Sequence, residues 1–474
     1  MRNRRRFAHR ELLVDAVTPI GAFAALSRAR PGPAMLFESA PGAGVGARRS
    51  LIALGSLGAV RAFDGEVTIA IDGDDARVTK VSPVQAGRDL VAAVRPGPED
   101  VARSPFFGLF GAAAHEFSGY LERLPALPRG DDPMPDLHLI VPETLIVFDH
   151  FSHRATITTL SGPDGMSPDD AEIVEALSNP SAAPFAASST GETNGAASVR
   201  GHDSGRYCDA VDVAKAAIHD GEAFQIVLSQ GRTIASSASP FDVYRALRSI
   251  NPSPYMFFLD LGWGQLFGSS PEMLAKLDNG RAIIRPLAGT RPRSDDPETD
   301  GRRASALRRD PKERAEHTML VDLGRNDLSR VCAVGSVRVH DFMDVERFSH
   351  VMHLVSEVAG RLDQGFDAFD LLCAAFPAGT VSGAPKIRAL EIIAGLEGER
   401  RGFYAGAVLR IGFDGGMDSC ITLRSVHAYG GAFHLRAGAG IVAGSDAAGE
   451  DRECRAKLGA TLDALAMVSG GVPA

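Results

Sequence analysis

Cysteine and tryptophan are scarce in this chain, with five and one among 474 residues. The cysteines (Cys208, Cys332, Cys373, Cys420 and Cys454) lie far apart with no C-x-x-C pair. That spacing excludes a zinc ribbon or a disulfide framework and fits a reducing cytoplasm. No run approaches the roughly 18 consecutive apolar residues of an ordinary membrane-spanning helix. Positive charge is not in excess: the formal net charge is −9, so no basic footprint argues for nucleic acid. The basic start Met1-Arg2-Asn3-Arg4-Arg5-Arg6 is followed by Glu11, Asp15 and Pro19. These interrupt any apolar region behind it, so it reads as a solvated start rather than a signal peptide. What is present, 45% hydrophobic and 23% charged residues, is the composition of an ordinary globular protein. At about 100–200 residues per domain, the length suggests two or three domains.

The one clear composition shift runs from about Ser178 to Gly205, where nearly every residue is small or polar. Such a segment cannot offset its ordering entropy by burial. It divides the chain into a β-rich region over 1–177, a linker or exposed loop over 178–206, and a second region over 207–474. Before it, β-like runs dominate at 67–71, 137–141 and 144–148, with a weaker helical signal at 82–94. After it, Tyr207, Val211, Ala214 and Ile218 follow helical spacing towards Gly221. Residues 223–229 alternate as a half-buried strand does, and Ser239-Pro240 opens a helix with a capping hydroxyl. Strands are expected at 255–261, 265–269, 419–426 and 432–436, and over part of 404–411. No internal repeat or regular βαβ alternation is present, so the fold class is α+β.

Two helices carry an unusual pattern. Asp310-Pro311 caps one on which Glu313, Glu316, Leu320 and Leu323 fall on the same side. A second, after Ser445-Asp446, sets Glu450, Glu453 and Lys457 beside Leu458, Leu462 and Leu465. Carboxylates on the leucine side are costly unless a cation compensates. Two Glu-x-x-Glu pairs supply the oxygen ligands of a hard cation such as Mg²⁺, or else form two solvated acidic faces; spacing alone leaves both open. The 376–386 stretch, FPAGTVSGAPK, is a loop entering a helix that Ser382 or a neighbour would cap. Its free N–H groups suit an anion, although it lacks P-loop spacing. Gly438-Ala439-Gly440 is a poor dinucleotide fingerprint, and the pair His350 and His353 is by itself more often structural. Arg424 ends an apolar run, where a buried arginine needs a carboxylate from the protein or a substrate.

Taken together, GEAFQIVLSQ (221–230), NPSPYMFFLD (251–260), GSSPEML (268–274), PLAGTRPR (286–293), DPKERAEHTMLVDLGRNDLSRV (310–331), SHVMHLVSEV (349–358), FPAGTVSGAPKIRALEII (376–393) and AGAGIVAGSD (437–446) resemble the chorismate-utilising enzymes. Within that family the resemblance is nearest to the anthranilate synthase component I branch. It covers nearly all of 207–460 and is thin before the linker. It implies large antiparallel β-sheets packed with helices, an N-terminal regulatory region and a C-terminal catalytic one. Glu313, Glu316, Glu450 and Glu453 would surround Mg²⁺, with Glu316 and Glu453 as direct ligands. Tyr404, Arg424, Gly438, Gly440 and Lys457 would hold the enolpyruvyl carboxylate of chorismate, with Gly289, Thr290 and Thr380 on substrate-side loops. Glu272 would protonate the departing 4-hydroxyl, and His353 would assist loss of pyruvate.

Relatives that activate water resemble one another in carrying a lysine where this chain has Gln225, and aminodeoxychorismate synthases in carrying one where it has Ala288. Neither lysine is present, which favours ammonia as nucleophile. None of the five cysteines sits in a glycine-rich elbow, so ammonia would come from a separate glutamine amidotransferase subunit, in a cytoplasmic hetero-oligomer. The alternatives are a 2-amino-2-deoxyisochorismate synthase and a catalytically silent tryptophan-binding protein. The resemblance further implies feedback inhibition by tryptophan at Glu38, Ser39, Arg49, Pro254, Tyr255, Met256 and Cys420. There Glu38 would pair with the effector's ammonium group, and Tyr255 and Met256 would pack its indole.

Overall fold

The computed structural model describes residues 5–40, 48–161, 170–178, 199–201, 203–347 and 351–469. His350 and most of the 178–206 segment lie outside the described residues. Two 12-stranded sheets make up the architecture, and all strand pairings among the described residues are antiparallel. In the first sheet Phe7–Leu13, Arg154–Leu160, Thr144–Asp149, Arg49–Leu54 and Ala34–Glu38 lead into Tyr255–Asp260. Gln265–Ser270, Ser425–Tyr429, Ala432–Ile441, Gln225–Ala235 and Val199–Gly201 complete that row. In the second, Leu287–Pro292, Val351–Arg361, Arg281–Ile284, Met273–Asp278, Met417–Ile421 and Ala407–Gly412 meet Gly108–Ala113. Leu137–Val141, Gly58–Phe63, Glu66–Ile71 and Arg77–Thr79 follow.

The expected division at 178–206 therefore divides the chain but not the sheets. Ala34–Glu38 pairs with Tyr255–Asp260, and Gly108–Ala113 with Ala407–Gly412. Nor is the whole segment a loop: Val199–Gly201 pairs with Gln225–Ala235, and Asp203 caps a helix beginning at Ser204. The principal core draws on both parts, from Val60, Phe110 and Leu139 to Leu274, Val358 and Ile421.

Most expected elements form where the sequence pattern puts them, including helices Pro83–Val94, Pro240–Ile250, Pro311–Ser329 and Ala447–Ser469. Two differ in a way that matters. Residues 225–230 are buried throughout rather than alternately. The expected 419–426 strand is two, Met417–Ile421 and Ser425–Tyr429, separated by Arg424 at φ 48°. The first of these lies in the second sheet and the other in the first, so the chain crosses between sheets at that point. Gln265–Ser270 and Met273–Asp278 make the same crossing alongside. Strands that switch sheets through a local bend form the corners of such packings.

Candidate active site

The two crossings are stitched together. The Ser269 amide donates to Arg424 O at 3.2 Å, Ile421 N to Glu272 O at 3.1 Å, and Ser270 Oγ to Ile421 O at 2.6 Å. Glu272 and Arg424 thus occupy adjacent bends where the backbone leaves one sheet for the other. The Glu272 carboxyl is buried, and burial pushes its pKa up to about 7, only partly offset by the Thr380 hydroxyl, Arg424 and Lys457. Burial also lowers the pKa of Arg424, and the opposing charge of Glu272 resists the shift. No salt bridge within 4 Å holds the Arg424 guanidinium among the described residues, whereas Lys386 and Arg401 each have a carboxylate of their own.

The Phe376–Pro385 loop closes over this corner. Its single turn, Gly379–Val381, presents Thr380 with a buried hydroxyl that lacks a well-formed hydrogen bond. The expected cap is absent: Pro385 occupies the cap position of the Lys386–Glu397 helix, and Ser382 Oγ donates to Ala378 O at 2.8 Å. Side chains missed by sequence reasoning pin the loop instead. Lys386 Nζ lies 3.0 Å from both Asp327 oxygens, and Arg401 Nη1 donates to Val381 O at 2.8 Å.

On the second sheet, Thr290 stands opposite His353 in the register. His353 Nδ1 donates to Gly289 O at 2.9 Å, with Thr290 Oγ1 3.1 Å away. That bond fixes the proton on Nδ1, and burial lowers the pKa, so the ring is neutral at pH 7. Gly289, at φ 67°, runs so close to helix Pro311–Ser329 that a Cβ would sit 2.8 Å from Glu313 Oε2. On the first sheet, a Cβ at Gly438 would lie 2.7 Å from the Tyr404 hydroxyl, and one at Gly440 2.6 Å from Gln225 Nε2. Both glycines keep a side-chain-free floor in front of polar groups.

The four glutamates approach one another from two helices. Gln225 Nε2 donates to Glu316 Oε1 at 3.4 Å. The Glu316 pKa is raised by burial and then by the negative charges of Glu313 and Glu453; Glu450 is raised by burial and, after a countering hydrogen bond from Ser445, by Glu453. Arg291 holds Glu313 at 3.1 Å, and Lys457 holds Glu453 at 2.8 Å while donating to Gly438 O at 2.8 Å. No compact group of three acidic or imidazole side chains is preassembled for a metal among the described residues. Oxygen donors whose mutual repulsion is only partly neutralised nevertheless fit a hard cation.

The sequence pattern of the chorismate binding enzymes matches residues 32–463. The chain belongs to that family. It is 44% identical to anthranilate synthase component 1 of Streptomyces coelicolor, covering 96% of this chain and 88% of that protein. The Thermus thermophilus protein of the same name is 42% identical over 97% of this chain and 98% of its own. The crystal structure of anthranilate synthase component I from Streptococcus pneumoniae superposes with a TM-score of 0.75 at 33% identity, covering 90% of this chain and 93% of that one. The α+β expectation, with large antiparallel sheets, thus holds both in the architecture and in the family.

Among the effector candidates of this family member the geometry is divided. Ser39 Oγ donates to Pro254 O at 2.7 Å, bringing the ends of two paired strands together. Glu38 has partners of its own within the protein. Its carboxylate already accepts from the Tyr244 hydroxyl at 2.9 Å and from Arg248 at 3.1 Å, on the face towards helix Pro240–Ile250. Met256 packs on that same face. Tyr255 and Cys420 belong to the core between the sheets, where the Tyr255 hydroxyl donates to Asp418 at 3.1 Å. Arg49 lies 3.8 Å from Asp149 with its guanidinium 5.0 Å from the Phe106 ring centre.

Proposed function

We propose that this protein is the chorismate-converting component of an anthranilate synthase, turning chorismate and ammonia into anthranilate, pyruvate and water. The observation that carries the reading is Arg424, a guanidinium without a salt bridge among the described residues, set beside a carboxyl that is half protonated near pH 7. A bound carboxylate supplies the missing partner for Arg424, with Lys457 and Tyr404 at hand.

Glu272, protonated, gives its proton to the 4-hydroxyl as that group leaves as water. Ammonia adds at C2 while the ring double bonds shift. The Gln225 Oε1 atom, buried without a hydrogen-bond partner among the described residues, suits the N–H of such a nucleophile and offers no base to activate water. Neutral His353, oriented by Gly289, then removes the C2 proton, and the enolpyruvyl group departs as pyruvate with aromatisation of the ring. The neutral, anchored imidazole favours completion of this second half over arrest at the aminodeoxyisochorismate stage. Glu316 and Glu453, supported by Glu313 and Glu450, would hold Mg²⁺, which when bound supplies counter-charge to the ring carboxylate.

Ammonia comes from a separate glutamine amidotransferase subunit, and the Ser39–Pro254 junction with Tyr255 is the tryptophan contact. The test is direct. Purified chain with chorismate, ammonium and Mg²⁺ forms fluorescent anthranilate and equimolar pyruvate, and glutamine does not replace ammonium until the amidotransferase is added. An aminated product without pyruvate, or no turnover at all, refutes the reading.

A further inference from the structure

A cavity of about 430 Å³ opens along the 229–233 stretch of strand Gln225–Ala235, and none of the catalytic or effector candidates lines it. Its size is within the range of small-molecule sites. Arg401 and Arg436 at its floor are neutralised by Glu397 at 2.6 and 2.9 Å together with Glu399, 2.9 Å from Arg436. Arg129, Arg206 and Arg232, which also line it, have no carboxylate within ion-pair distance among the described residues. Among the described residues Arg206 and Arg129 donate only to the carbonyls of Glu397 and Met134, both at 2.7 Å, and the Arg129 guanidinium also lies 3.3 Å from the Phe63 ring centre. Arg129 Nε and Nη1 and Arg232 Nε are buried without a hydrogen-bond partner among the described residues, a state that is costly for a buried donor. The nearby carboxylates are committed or exposed: Asp203 caps a helix, Asp132 lies 3.4 Å from His427, and Asp131 faces solvent.

One wall is flat and uncharged. Tyr429 and His434 stack with ring centres 3.9 Å apart and planes 10° apart. Burial pushes the His434 pKa down to about 4, so this wall stays neutral. Guanidinium groups without a carboxylate partner, beside a stacked ring pair, recognise a planar anion by charge, fork geometry and π-surface together.

We propose that this cavity is a second small-molecule site, separate from the chorismate site, which binds a small ring carboxylate. Its floor reaches the catalytic loop. Arg436 Nε donates to Ser229 Oγ at 2.8 Å, Glu397 accepts from Ser229 Oγ at 2.9 Å, and Arg401 joins Glu397 to the carbonyl of Val381, the residue after Thr380. An occupant therefore bears on the same loop that faces Glu272.

Benzoate is the probe, titrated into the full chain by calorimetry and by fluorescence of the single tryptophan. Trp263 packs edge-on against His427 at 5.2 Å, and His427 packs on Tyr429 at 4.6 Å, so the indole reports on this wall. Saturable binding is expected, weakened at least tenfold in Arg232→Gln, unchanged in Arg424→Gln, and at least tenfold weaker for acetate. Should Arg232→Gln fail to fold, Arg232→Lys keeps the charge but not the fork and is expected to bind several-fold more weakly. Binding lost in Arg424→Gln and retained in the Arg232 variants puts benzoate in the catalytic site and overturns the proposal. Inorganic phosphate binding as tightly as benzoate overturns the ring requirement, and no saturation at millimolar benzoate overturns the site.

Discussion

Replacing Glu272 with glutamine separates the stability of this protein from its activity in a pH-dependent way. An ordinary glutamate titrates at 4.5, whereas burial holds Glu272 at about 7 in the folded chain. That difference corresponds to about 3 kcal/mol. Below pH 4.5 both folded and unfolded chains hold the proton, and the group costs folding nothing through ionisation. As pH rises from 4.5 to 7 the unfolded chain releases its proton first, so stability falls across that window and the loss levels off above it. Glu272→Gln removes the titration but keeps the shape. The stability of the variant relative to wild type is therefore expected to grow by about 3 kcal/mol between pH 4.5 and 8, measured by chemical denaturation without chorismate or Mg²⁺. Turnover moves in the opposite direction, falling at least about 100-fold for loss of a general acid. In wild type, kcat/KM declines above pH 7 as Glu272 loses the proton that it must donate. Parallel stability curves for the two proteins between pH 4.5 and 8 would refute the reasoning, because Glu272 would then not be the buried acid described.

Removing the Arg424 guanidinium by Arg424→Gln is expected to raise KM for chorismate at least about tenfold, the scale of one charge-assisted contact; an unchanged KM in steady-state kinetics sinks its binding role. Glu316→Gln or Glu453→Gln is expected to abolish Mg²⁺-dependent turnover with the fold intact by circular dichroism, and near-normal rates at saturating Mg²⁺ exclude the ligand assignment. Ser39→Phe breaks the bond to Pro254 and is expected to relieve tryptophan inhibition while preserving uninhibited activity; wild-type rates unaffected by millimolar tryptophan rule out an effector site there. Glu38→Gln, by contrast, is expected to lower the denaturation midpoint, since Glu38 answers Tyr244 and Arg248; loss of tryptophan sensitivity without loss of stability would reverse that assignment.

Local chemistry made much of this legible in the sequence. Ser239 and Asp310 cap the helices that their side chains predict, with proline at the start of each. Glu313, Glu316, Glu450 and Glu453 stand out as carboxylates on leucine-bearing faces, and the structure brings Glu316 of one pair under the charge of Glu453 of the other. What escaped depends on contacts between distant segments. Periodicity at 223–229 predicts one wet face, but Gly383–Ala384, Lys386–Glu397 and Ser204–His219 cover this strand from elsewhere. The bend at Arg424 has no signal in a run of apolar residues, because a left-handed non-glycine residue is imposed by the crossing it makes. Asp327 with Lys386, and Glu397 with Arg401 and Arg436, look like solvated charges in the sequence and become buried pairs only when their elements meet.

The interleaving of early and late strands in both sheets governs how this chain can be made. Ala34–Glu38 must await residues 255–260, and Gly108–Ala113 must await residues 407–412. At a synthesis rate of about 5–20 residues per second, the second of these edges stays open on the order of tens of seconds. An emerging amino-terminal half thus shows open strand edges to its neighbours on the ribosome, the hazard that edge strands pose wherever they are uncovered. Cutting the gene near codon 178, where composition suggests a seam, would make that transient exposure permanent. The products would be two sticky fragments that fold only in each other's company.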